Sequence, residues 1–176
     1  MLKQIVNRFP ALNQIIPVYA VIVFMSFAWA ILVFLWKLTS WLYFQAPYEI
    51  LAILAYVVMQ IFFDTLVYLG VLLAVCAILP SRWLRDDFNV RGAWIAFSVI
   101  GSMIAYLNLF FFIKISSPLW ILLTLLALVA AIMLSNRFKR MANIALQVSD
   151  RLIIFLYIVL PASAVSIITV IIRNIK

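Results

Sequence analysis

The chain has no histidine, one cysteine, three glycines and five acidic residues among its 176 positions. Each shortage closes off a class of function. Without histidine there is no imidazole to ligate haem or zinc, and none to serve as a general base near neutral pH. Cys76 stands alone, so no intrachain disulfide can form. The glycines are not spaced as a phosphate-binding loop, and HExxH and GxSxG are missing. No cofactor is expected from such a residue set. Charged side chains make up only 10% of the chain, against about 25% in soluble domains. An ordinary soluble fold is thereby excluded.

What the chain has in abundance is apolar length, with 69% hydrophobic residues. Five runs are long enough, or nearly so, to cross a hydrocarbon core of about 30 Å as helices rising about 1.5 Å per residue. They cover residues 15–36, 49–79, 92–113, 119–134 and 152–172. The expected fold is all-α, a polytopic integral membrane bundle of five transmembrane helices forming one domain over 1–176. The run at 15–36 exceeds a signal-peptide core and reads as an uncleaved span. Residues 37–48 read as a connection, with Trp36, Trp41, Tyr43 and Tyr48 as an interfacial aromatic belt. Residues 135–151 read as an amphipathic cytosolic segment or an extension of a neighbouring span, Phe138, Met141, Ala145 and Val148 sharing one helical face.

The formal charge of +8 comes from basic residues placed between the apolar runs. With no separate basic domain to carry nucleic acid, the expected partner of these charges is the bilayer. Lys3, Arg8, Arg82, Arg85, Arg91, Arg137, Lys139, Arg140 and Arg151 fall on the N-terminal side of a five-span topology. Lys37, Lys114, Arg173 and Lys176 fall on the other. The imbalance predicts an N-inside, C-outside orientation in a bacterial-type cytoplasmic membrane.

Within run 49–79 one acid, Asp64, stands near the middle of an otherwise apolar stretch. A carboxylate at mid-bilayer depth costs about 2.5–3.5 kcal/mol on insertion scales, so its surroundings carry information. Tyr56, Gln60, Asp64 and Tyr68 recur at i, i+4 and form one row along the helix, with Thr65 beside it. This row is the candidate intramembrane polar site. It fits either a proton- or ion-coupling path or a hydrogen-bonded clasp between helices. No second acid and no basic counter-ion lies at matching depth.

Ser98, Gly101, Ser102 and Ala105 give two interleaved small-xxx-small pairs, a candidate packing face for the helix at 49–79 or for a homodimer. Pro161 interrupts the last run, with Ser163 among the small polar residues after it. Asp86 and Asp87 lie among Arg82, Arg85 and Arg91. Paired aspartates can hold Mg²⁺ beside phosphate, as an enzyme modifying lipid head groups requires. Here the arginines neutralise them, and the better reading is head-group contact by Arg82, Arg85, Arg91, Arg137, Lys139 and Arg140.

Together these features predict a non-enzymatic membrane subunit or scaffold of a larger assembly, bound to a membrane partner or to copies of itself. A transporter or channel component using Asp64 is the alternative, and a lipid-modifying enzyme using Asp86 and Asp87 the third.

Overall fold

The computed structural model describes residues 10–78, 84, 87–113, 117–137 and 139–175. The described residues are 96% helical and include no strand. Five helices follow in order: α1 (Leu12–Phe44), α2 (Pro47–Ile78), α3 (Phe88–Ile113), α4 (Ser117–Arg137) and α5 (Lys139–Ile175). Among the described residues, four of them are long and apolar enough to cross a membrane, and α4 contributes a shorter apolar stretch, Pro118–Ala130. Large aliphatic side chains such as Leu126, Ile158 and Leu32 cover the exterior. Such a surface matches hydrocarbon rather than water. The protein is an all-α integral membrane bundle.

The helix bounds depart from the apolar runs in two places. Residues 37–44 are helical, not a connection, so α1 is 33 residues long. Nothing in KLTSWLYF breaks a helix, and the Thr39 hydroxyl donates to the Trp36 carbonyl of its own turn at 3.2 Å. The stop comes at Gln45, whose backbone is extended, just ahead of Ala46, where Pro47 disfavours helix. Pro47 then opens α2, and Glu49 accepts the Ala46 N–H at 3.1 Å, half of a capping box.

The second departure is at the other end. The segment read as amphipathic from residue 139 onward and the last apolar run are one helix, α5. Its inner line is Ala145, Ser149, Leu152, Leu156, Val159 and Ser163, alternating steps of four and three. That is the seam of a left-handed helix pair. Val148, grouped with Ala145 on one apolar face, is 49% exposed, because the seam continues from the span and carries the helix round. Phe138 lies outside the described residues.

α1 is the hub. It packs against α2, α3 and α5, while α4 lies outside against α3 and α5. Val18, Ala20, Val21, Ile22 and Val23 are buried in succession, which requires neighbours on every side. α3 comes closest at Gly92, where an added Cβ would stand 3.1 Å from a Val18 methyl carbon. Met25 faces Gly101 farther along, so α1 and α3 run parallel. Lipid tails are as apolar as leucine, so such close approach, through dispersion, is what holds the helices together.

The expectation that α2 is the mate of α3 is therefore corrected. α3 packs on α1 and α4, and α2 reaches it mainly through side chains. Gly92→Leu should overpack this contact and cost about 1–3 kcal/mol. Val18→Ala in the same chain should recover part of the loss. Gly101→Ala should be neutral or stabilising by up to about 1 kcal/mol, since its Cβ meets only the Met25 methyl, at 3.8 Å. Unfolding in mild detergent, followed by tryptophan emission, checks all three.

Candidate functional site

The row Tyr56, Gln60, Asp64, Tyr68 turns slowly around α2, and its four members end in different surroundings. The inner side of α2 is set by Thr65, Leu72 and Cys76, all buried. Thr65 is fully buried, donates to the Phe62 carbonyl at 2.7 Å and lies 3.4 Å from the Tyr19 hydroxyl of α1. It is the inward polar contact of the helix, one position off the row.

Tyr56 points to the end of α5. Its hydroxyl donates to Asn174 Oδ1 at 2.9 Å, and the Arg173 guanidinium lies 6.0 Å from its ring centre. Tyr68, three turns on, donates to the Met103 thioether of α3 at 3.3 Å, a weak acceptor. The two tyrosines thus tie α2 to different helices. Gln60 and Asp64 tie it to neither. The Gln60 amide donates to Asp64 Oδ1 at 3.1 Å, within α2 itself. Gln60 is exposed and Asp64 part-exposed. The row does not converge on one enclosed site, and its central pair looks outward.

Depth gives this placement its weight. α2 has 32 residues and is about 48 Å long, against a core of about 30 Å. Gln60 and Asp64 lie roughly 20–25 Å from its first residue. Any crossing of the core by α2 therefore carries both residues through hydrocarbon.

The other expected sites are placed as follows. Ser98, Gly101, Ser102 and Ala105 are part-buried. Ser102 offers its carbonyl to Trp120 Nε1 of α4 at 3.2 Å, and Tyr106 stacks near Trp120 at 5.7 Å. The face is thus shared between α1 and α4 within one chain. Asp87 pairs with Arg91 at 3.4 Å, one turn apart, with the Asp87 side chain 64% exposed and that of Arg91 14%. A long pair whose carboxylate stands in solvent contributes little. Asp86, Arg82 and Arg85 lie outside the described residues. Arg140 is exposed near the start of α5, and Arg137 and Lys139 flank the α4–α5 junction. Among the described residues no group of three or more His, Cys, Asp or Glu could hold a metal.

Ser26 belongs to no pattern in the sequence, and Ser163 stands there only among the small polar residues after Pro161. Ser26 and Ser163 have hydroxyl oxygens shut off from solvent without a hydrogen-bond partner. Ser163 therefore does not cap the carbonyl that Pro161 leaves free. A lone serine in an apolar run carries no signal of whether it faces a neighbour. Comparison of the chain with protein-family models, with curated proteins and with solved structures yields no match.

The geometry separates the two kinds of polar contact by stability. Tyr56→Phe and Asn174→Ala should each destabilise the isolated chain, with a coupling of about 0.6 kcal/mol in a double-mutant cycle. Gln60→Leu, outside the bundle, should leave its stability within about 0.5 kcal/mol. Detergent unfolding of the single and double variants reads both.

Proposed function

We propose that the chain is a non-enzymatic subunit or scaffold of a larger membrane assembly, attached to its neighbour through the outer face of α2. The observation that carries the reading is the Gln60–Asp64 pair on the outside of the bundle. In hydrocarbon, the unused hydrogen-bonding capacity of a carboxamide and a carboxyl group costs several kcal/mol unless another protein group meets it. Intramembrane polar groups almost always face other helices or a water-filled cavity, and a neighbouring helix on this face would supply that setting. On the charge imbalance of its flanks, the N-terminus of the chain lies inside and its C-terminus outside a cytoplasmic-type membrane.

An ion-coupling role for Asp64 has less to support it. A path would draw Tyr56, Gln60 and Tyr68 around the acid, whereas the tyrosines are engaged with Asn174 and Met103. For a lipid-modifying role, the described member of the aspartate pair, Asp87, is engaged with Arg91 one turn on, which lends that reading no support.

Isolation of the tagged chain from native membranes in mild detergent tests the proposal. The wild type should run as a stoichiometric particle larger than one chain, and Gln60→Leu with Asp64→Leu should shift it towards the single chain. Asp64→Asn, which keeps a hydrogen-bonding side chain, should preserve the particle. A wild-type chain that purifies alone contradicts the reading. Loss of proton-coupled flux in Asp64→Asn, with the particle intact, would favour the ion-coupling alternative.

A further inference from the structure

The outward face of α2 carries a second pattern that the polar row conceals. Gln60, Phe63, Val67, Gly70 and Ala74 follow one another at steps of three, four, three and four. All five are exposed, Phe63 by 49% and Val67 by 63%. An added Cβ at Gly70 would find nothing within 4 Å. Alternating steps of three and four keep one seam in register with a partner helix in a left-handed crossing. The same alternation runs along the inner line of α5, where it is covered by the chain's own helices. On α2 it faces out.

We infer that this seam is occupied by α2 of a second copy, so that the assembly contains a parallel, two-fold α2–α2 pair. The inference rests on the subunit reading above and names one of its partners. Two copies inserted with the same topology can be related by an axis along the membrane normal, and equal depths then meet. Gln60 thus faces Gln60 of the second copy. After one N–H goes to Asp64 Oδ1, each carboxamide retains one N–H and its carbonyl oxygen. Two such groups exchange N–H···O bonds reciprocally, so that every amide N–H is donated. A single polar amide in an apolar seam is also the device that fixes register and a two-helix state.

Asp64, one position beyond Phe63, flanks the seam rather than entering it, so the two acids are not opposed. Gly70 and Ala74 let the backbones approach in the later turns, where Gln60 no longer separates them.

Single cysteines in the full chain, oxidised in native membranes, test the arrangement. Cys76 is buried and leaves the background silent. Ala74→Cys should give a disulfide-linked species of two identical chains, and Leu126→Cys on the outer face of α4, an equally lipid-facing control, should not. Gln60→Ala added to Ala74→Cys should lower the cross-linked fraction about threefold or more. Gln60→Ala alone should keep the unfolding midpoint of the isolated chain.

Equal cross-linking at positions 74 and 126 would overturn the inference as chance collision. Cross-linking of position 74 to a different chain would overturn it while leaving the subunit reading in place. No cross-link, together with a wild-type particle of one chain, would overturn both.

Discussion

Hydrocarbon gives a polar side chain nothing to bond, and this one constraint orders the structure. Several hydroxyls and amides in the described helices turn back on their own backbone. Thr65 bonds the Phe62 carbonyl, Ser102 that of Val99, Thr124 that of Trp120, Thr169 that of Val165, and Asn108 that of Ile104. Ser149, fully buried, does the same towards Ala145 and Leu146. Such bonds close the polar account within each helix and contribute little to the choice of neighbour. Among the described residues, polar contacts between helices include Tyr19 with Thr65, Tyr56 with Asn174, Tyr68 with Met103 and Trp120 with Ser102. Against this pattern, a glutamine and an aspartate bonded to each other on the outside of α2 are an account left open.

Dispersion does the rest of the work of assembly. With no hydrophobic drive between helices in lipid, the bundle gains from the closeness of atoms alone. That favours a helix buried on all sides, and α1 is that helix. Its Val18 rests on Gly92, its Met25 on Gly101, and its Phe24 meets Phe155 of α5 edge to face at 5.4 Å. The length of α1, α2 and α5 exceeds the hydrocarbon core, so these helices tilt or extend past it. The ends of α1 and α2 place Trp36, Tyr43, Phe44 and Tyr48 on the surface, the residue types that settle at a membrane–water boundary.

The order of the five described helices was legible in the sequence, because an apolar run of spanning length has few alternatives. The bounds were less so. Residues 37–44 have the composition of an interfacial loop, yet contain no helix breaker before Gln45, Ala46 and Pro47. The partners of each helix were the least legible part. A small residue shows that something comes close but not what, and Gly92, next to Arg91 at the head of its run, stood apart from the Ser98–Ala105 pattern. The row through Asp64 was visible from its spacing alone. Its direction was not, for in a membrane protein apolar residues occupy the core and the lipid face alike. The usual contrast that marks inside from outside is missing, and only packing reveals that Thr65 points in and Gln60 out.

The central claim is that the outer face of α2 is covered by protein in the membrane. Spin labels placed one at a time along residues 60–75, in the full chain reconstituted in lipid, read it most directly through collision with dissolved oxygen. A face open to lipid gives a maximum at every helical turn. The account predicts depressed oxygen access at Gln60, Val67, Gly70 and Ala74, with access at α4 positions such as Leu126 remaining high. Maxima at those α2 positions, equal to that at Leu126, would contradict it and return the Gln60–Asp64 pair to the lipid.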